Sequence, residues 1–313
     1  MLIIHHWDTD GITSAALTIK ALNLENFVNV SPPIGEFRFD DRIKEHIEKT
    51  EKIYVLDLNL PQEVEDIEKE TIFIDHHIQK KIKNPNVKQI NPVLDGKNYP
   101  SASFVVSDHF SFWNYLSALG AIGDIGEKAF SISKVKKLLD IANINKKEAL
   151  KLVNLIDSNY ITMNRNAVEK AVNIVIEMEP KELLEYEEWN KNLELINEEI
   201  QKAIDNIKVM NTKNAKIAYI EFKSPFNIIS KVARKTVWDL EYDGVIVVNK
   251  DFHGNAQVYF RISSKMTDKI RVIDIIENLR NKKFNIGGKK EVLGCICEKD
   301  NIDTVIRTIM NHL

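Results

Sequence analysis

Apolar and polar positions follow two different rhythms along the chain. In residues 1 to about 125 the runs LIIHH, FVNV, KIYVLDL, TIFIDHH and VKQINP are short, apolar and rich in β-branched residues, which predicts strands. Between several of them lie ITSAALTIKAL, DRIKEHIEK and EVEDIEKE, which predict helices. That alternation predicts an α/β fold with a mostly parallel sheet flanked by helices. From about 130 to 210 the texture becomes helical, through KVKKLLDIANI, KEALKLVNLID, NAVEKAVNIVIEM and the long KELLEYEEWNKNLELINEEIQKAIDNIK. The last reads as one amphipathic connector, long enough to bridge two domains. After about 214 strand patterns return in KIAYIEF, DGVIVVNK, QVYFRISS and EVLGCICE, separated by helical FNIISKVARKTVWDL and RVIDIIENLR and followed by a final helix. The expected organisation is an N-terminal α/β domain over 1–130, a helical region and connector over 131–210, and a smaller C-terminal α/β domain over 211–313.

Composition adjusts this picture little. At 313 residues, with 44% hydrophobic and 28% charged content, two soluble globular domains are expected. No apolar run approaches the length of a membrane span, and the opening MLIIHH lacks the basic and apolar regions of a secretory signal, so the expected location is cytoplasmic. A net charge of −3 argues against non-specific coating of duplex DNA while leaving room for a local basic groove. Cys295 and Cys297, one residue apart, would share a strand face as buried or half-buried thiols; two such residues make no zinc or disulfide framework.

The strand ends carry the chemistry. The first apolar run ends in HHWDTD, a later one at Asp57, and the next in Asp75, His76 and His77. In open parallel sheets ligands collect at the carboxyl ends of the strands, so three such endings point to one site. Asp124 in SALGAIGDIG joins the candidates, although a helix cap is its structural alternative. Unpaired acids at buried strand ends cost several kcal/mol, which makes a purely structural role for Asp8, Asp10, Asp57 and His76 a poor explanation. Carboxylates and imidazoles without thiolates favour manganese or magnesium, with zinc or cobalt as alternatives. Two such ions about 3.5–4 Å apart suit phosphoester hydrolysis. Strand parity places residues 6, 8 and 10 together and favours His6 over His5 as the histidine of this group. His109 and the aromatics of HFSFWNYL read as surface or core residues.

In this order HHWDTDG, VLDL, IDHH and ALGAIGD resemble the four motifs of the DHH phosphoesterase superfamily, which includes RecJ exonucleases, oligoribonucleases and manganese pyrophosphatases. IGGKKEVLG at 286–294 is similar to the glycine-rich motif of the associated DHHA1 domain, and FRIS at 260–263 to its SxRS stretch. The resemblance implies that His6, Asp8 and Asp57 hold one ion and that Asp10, Asp57, His76 and Asp124 hold the other, with Asp57 bridging. His77 would face the scissile phosphate, with Asp75 fixing a histidine tautomer behind it. Arg261, Gly287, Gly288, Lys289 and Lys290 would contact substrate in a DHHA1 domain. Two positions depart from the pattern: Ile4 stands where much of the superfamily has its first histidine, and Lys289 stands where DHHA1 domains carry one.

The implied function is a manganese-dependent exonuclease acting on single-stranded DNA or RNA, admitted to a cleft between the domains, with magnesium or cobalt as alternative ions. HHWDTDG resembles the archaeal RecJ-like branch, including Hef-associated nucleases; that resemblance implies 3′→5′ polarity, a homo-oligomer such as a trimer, and a Hef-like helicase or GINS as partner. The alternatives are an oligoribonuclease or small-nucleotide phosphatase with the same chemistry, and a non-catalytic replisome scaffold on the same fold.

Overall fold

A computed structural model describes residues 1–211 and 215–313. The chain divides into two compact units, Met1–Leu193 and Glu194–Leu313.

The first unit is built on five parallel strands, β1 (Leu2–His5), β2 (Val28–Val30), β3 (Lys52–Leu56), β4 (Glu70–Ile74) and β5 (Val87–Ile90), in spatial order β2-β1-β3-β4-β5. Both faces are covered, and the alternation within each strand shows it. Ile3, Tyr54, Leu56, Ile72 and Ile74 enter one apolar core, whereas Leu2, Ile4, Ile53, Val55 and Phe73 enter another. The strand order reverses at β1, so a crevice opens between the carboxyl ends of β1 and β3, where such sheets bind ligands.

Helix α1 (Thr9–Ala21) leaves that crevice almost wholly buried, and small residues make this feasible. A Cβ on Gly11 would lie 2.3 Å from the His6 carbonyl oxygen, closer than any side chain tolerates. α2 (Asp41–Glu48) covers the opposite face with Ile43 buried. The stretch EVEDIEKE, expected as a helix, forms only a 3₁₀ turn at Pro61–Val64, because Pro61 starts a turn and charged side chains outnumber the apolar ones available for burial.

Seven further helices complete the unit's described chain and lead into the second: α3 (Ala102–Phe110), α4 (Tyr115–Ile125), α5 (Ser133–Ile141), α6 (Lys146–Ile161), α7 (Arg165–Glu177), α8 (Pro180–Leu184) and α9 (Glu187–Ile204). α5 to α8 do not form a region of their own. Val135, Leu152, Ile156, Val168, Val172 and Leu183 share one core with α1 and β1. The expected single long helix is interrupted at Glu185–Tyr186, where the chain turns so that Trp189 is fully buried edge-on to Tyr186. Lys151 Nζ and Asn190 Nδ2 donate to the Leu184 carbonyl freed by this break, at 3.1 and 3.0 Å.

The second unit holds a six-stranded sheet of β6 (Lys208–Asn211), β7 (Lys216–Phe222), β8 (Gly244–Phe252), β9 (Asn255–Ile262), β10 (Asn285–Lys289) and β11 (Val292–Cys297), ordered β10-β11-β9-β8-β7-β6. Among the described residues of this unit only β7 and β8 pair in parallel. α10 (Ile229–Trp238), α11 (Val272–Asn281) and α12 (Ile302–Met310) cover it. Phe260, Val258, Ile275, Leu279, Val305 and Ile309 fill its core, which Cys295 and Cys297 both join as buried thiols. Gly287 and Gly288 lie inside edge strand β10, and the hairpin turns after Lys289. A Cβ on Gly288 would meet the Val292 carbonyl oxygen at 2.2 Å, so glycine there is required by close backbone approach. Among the described residues no helix is long and apolar enough to cross a membrane.

Candidate metal centre

Three strand ends and two helices deliver the polar groups. β1 runs into His6 and Asp8, and Asp8 caps α1 by accepting from the Gly11 N–H at 3.1 Å. Asp10 sits in the first turn of α1, and both its carboxylate oxygens accept from backbone N–H groups at the start of α3, Ala102 at 2.6 Å and Ser103 at 2.9 Å. Asp57 follows β3 with φ +59°, a left-handed conformation uncommon outside glycine and asparagine, which turns its side chain over the crevice floor. Asp75, His76 and His77 follow β4, and Asp124 comes from the last turn of α4.

These groups converge on Asp57, which is almost fully buried. His6 Nδ1 lies 3.8 Å from its Oδ2, and His76 Nε2 and His77 Nδ1 lie 3.7 and 3.9 Å from its Oδ1. His6, Asp8 and Asp57 form one cluster, and Asp10, His76 and Asp124 another; within each, one donor atom per residue lies within 4.8 Å of the others. Sequence parity favours His6, and the geometry separates the two histidines plainly. His5 is fully buried, donates from Nδ1 to the His6 carbonyl at 2.7 Å, and is pushed down to about 4 by burial.

Electrostatics show how poorly the cluster satisfies itself. Burial, reinforced by Asp124, pushes the Asp10 carboxyl up to about 7. Burial and then Asp10 and Asp8 raise Asp57 well above the usual carboxylate range. Burial alone would lower His76, but Asp124 and Asp10 outweigh it and push the ring up to about 9. Burial would likewise raise Asp8, yet the His6 ring outweighs it and brings the carboxyl to about 2. Too many acids therefore share too few protons.

The fit to a cation rests on orphaned atoms. His6 Nδ1 approaches Asp8 Oδ2 at 2.9 Å and His76 Nε2 approaches Asp124 Oδ2 at 2.9 Å. Yet His6 Nδ1, His76 Nε2 and Asp57 Oδ1 are buried without a hydrogen-bond partner. Nitrogen and oxygen ligand atoms gathered within 4.8 Å of one another, with no thiolate among them, fit hard or borderline divalent ions. Asp75 stands behind the cluster. Its Oδ1 accepts from the His76 and His77 N–H groups at 2.7 and 3.3 Å and meets His77 Nδ1 at 2.8 Å, and Gln79 Nε2 donates to its Oδ2 at 3.1 Å. His77, 44% exposed, is left with Nε2 as its free ring atom.

Some supporting groups escape sequence reasoning. Asp157 of α6 accepts from the Thr9 N–H and hydroxyl at 2.9 and 2.7 Å and so fixes the start of α1 beside the ligands. The backbone donors of Ala102 and Ser103 carry no side-chain signal at all. Nothing in the sequence pairs Thr9 with residue 157.

The C-terminal candidates lie in the second unit. Arg261 of β9 is buried, with Nε unpartnered and its guanidinium 5.3 Å from the Trp238 ring centre. Lys289, Val292 and Arg261 fall in register across β10, β11 and β9, which puts Lys289 and Arg261 on one sheet face. Gly287 and Gly288 are exposed along the same edge strand. Lys290 instead lines a cavity of about 410 Å³ with Thr267, Asp268 and Arg271.

Comparison with known proteins agrees with this architecture. Residues 1–139 match the DHH family, N-terminal domain. No curated protein sequence matches the chain. Among solved structures, a DHH-domain protein described as a member of a family of ribosomal proteins is 14% identical with TM-score 0.73, covering 99% of this chain and 85% of that one. RecJ from Thermus thermophilus in complex with Mn²⁺ is 17% identical with TM-score 0.67, covering 99% of this chain, which spans about half (51%) of that one. The pGpG-specific phosphodiesterase PggH from Vibrio is 14% identical with TM-score 0.55, covering 99% and 97%. The chain has the fold of the RecJ structures, and its residues 1–139 match the N-terminal domain of the DHH family.

Proposed function

We propose that the chain is a divalent-metal-dependent phosphodiesterase that removes nucleotides from single-stranded DNA or RNA. The observation that carries this reading is the buried Asp57 carboxylate, with an unpartnered oxygen, reached from three histidine rings at 3.7–3.9 Å. His6, Asp8 and Asp57 would hold one ion; Asp10, His76 and Asp124, with Asp57 bridging, would hold the second. When bound, such ions polarise a phosphoryl oxygen and acidify water at neutral pH. Manganese is the proposed ion, since a RecJ of this fold was solved with Mn²⁺, with magnesium as the alternative.

The chain's own residues do the rest. Asp75 holds His77 through Nδ1, which orients Nε2 outward to donate to a phosphoryl or leaving-group oxygen when the ring is protonated. Hydrogen bonds from Ala102 and Ser103 keep Asp10 from swinging away. Asp157 and Thr9 lock the helix start that carries Asp8 and Asp10. In the second unit the Arg261 guanidinium and Lys289 would contact substrate phosphates. A second reading, hydrolysis of dinucleotides, is favoured by the match to PggH along nearly the whole of both chains.

The test uses 5′- and 3′-labelled strands of about 30 nucleotides and a labelled dinucleotide, in Mn²⁺ or chelator, with wild type and Asp57→Asn. Asparagine tolerates the left-handed backbone at this position, so the variant removes charge without adding strain. The expected result is metal-dependent stepwise shortening that falls by about 100-fold or more in the variant. Hydrolysis indifferent to chelator, or undiminished by Asp57→Asn, contradicts the reading.

A further inference from the structure

The segment between β2 and α2 presents an aromatic ring beside the candidate metal centre. Phe37 is 62% exposed, while Trp7, against which it packs at 5.5 Å between ring centres, is almost wholly buried. Trp7 in turn stacks on His6, the imidazole that faces the metal cluster, at 4.2 Å. Phe37, Trp7 and His6 thus form a short aromatic stair from solvent to the ligands.

The loop is built to hold that ring in place. Its first residue is tied by the Ser31 N–H donating to Glu169 Oε1 at 3.0 Å and by Arg165 Nε donating to the Ser31 carbonyl at 2.6 Å. Its far end is tied by the Arg165 guanidinium forking onto Asp40 and by the Phe39 N–H donating to Glu63 Oε2 at 2.9 Å. Between them Pro33 and Glu36 close a hydrogen-bonded turn at 2.9 Å, with Gly35 at φ +84° supplying the left-handed residue it needs. Arg38 pairs with Glu36 at 2.7 Å, so this rim meets solvent with a neutralised ion pair and an open ring face. An exposed phenyl on a loop pinned at both ends has little freedom left to lose on binding.

We propose that Phe37 is a stacking platform for a nucleobase next to the phosphate under attack. The inference rests on the phosphodiesterase reading above and adds that the substrate is recognised by a base as well as by its backbone. Two ring contacts, of 5.5 and 4.2 Å between centres, link Phe37 to His6. An aromatic face suits any base, so the contact would favour strands or dinucleotides over inorganic polyphosphate without imposing a sequence.

The test compares wild type, Phe37→Ala and Phe37→Trp on a single-stranded oligonucleotide and on the same strand with abasic residues at the two terminal positions of each end. The expected result is a KM about tenfold higher for Phe37→Ala on the intact strand, with kcat held, little change on the abasic strand, and recovery in Phe37→Trp. Equal losses on both strands, or none, overturn the proposal. A second arm places 2-aminopurine at the strand termini and follows its fluorescence on binding to Asp57→Asn with and without Phe37→Ala. Quenching that requires Phe37 supports the platform, and quenching indifferent to it, or absent, overturns it. Should wild type hydrolyse no strand, the phosphodiesterase reading fails by itself and the fluorescence arm still decides this one.

Discussion

Gly120 shows how tightly single residues set the candidate centre. It lies in α4, one turn before Asp124, and a Cβ there would fall 2.2 Å from Ser103 Oγ and 2.5 Å from Asp10 Oδ1. Neither neighbour is a flexible side-chain end free to retreat, because Ser103 bonds Ser101 and the Ser117 carbonyl while Asp10 is gripped by two N–H groups. Gly120→Ala is therefore expected to lose about 1–3 kcal/mol of stability and to weaken Mn²⁺ binding. Urea unfolding and calorimetric titration check the two effects; unchanged values in both would show that the α4 contact yields without moving Asp10. At this scale the sequence was most legible where one side chain carries its own chemistry. Asp8, Asp10, Asp57 and His76 stand out because acids and imidazoles are costly at the ends of apolar runs. Asp157 does not stand out, since its partner Thr9 is 148 residues away and an aspartate in an amphipathic helix looks like any solvated one.

Elements are held in place by a second polar network away from the candidate ligands. Arg165 and Glu169 of α7 join Asp40, Arg42 and Ser31, pinning the β2–α2 segment to the helical part of the first unit. Burial alone would raise the Asp40 carboxyl, but hydrogen bonds from Arg165 outweigh it and hold it below its ordinary value. A carboxyl depressed in the folded state contributes stability above its unfolded value, and that contribution is lost as pH falls through the folded value. The difference in urea midpoint between wild type and Asp40→Asn should thus be present at pH 7 and should shrink below about pH 4. A difference equal at pH 7 and pH 3 would assign the residue's effect to packing and not to its charge. Strands and most helices followed from periodicity, since β1 and β3–β5 are apolar runs bounded by polar residues. Others did not. β10 hides its strand character behind two glycines that pack backbone to backbone, and α8 and α9 hide their break in a continuous amphipathic pattern that only the burial of Trp189 interrupts.

Across the whole molecule, pH links the candidate centre to folding. Asp10 and Asp57 have raised carboxyl values, so without cations their favourable contribution is present below the unfolded value near 4 and is lost as pH rises, for Asp10 through about 7. Cations offset that repulsion and need the carboxylates unprotonated. The gain in thermal midpoint on adding Mn²⁺ to chelator-treated protein should therefore be larger at pH 8 than at pH 6. A gain independent of pH would place the bound ion away from these acids. The most direct measurement is anomalous diffraction at the manganese edge from crystals grown with Mn²⁺. The account predicts two peaks flanking the Asp57 carboxylate, one beside His6 and Asp8 and the other beside Asp10, His76 and Asp124, about 3.5–4 Å apart. No peak within coordinating distance of Asp57, in crystals whose surrounding solvent holds millimolar Mn²⁺, would contradict it.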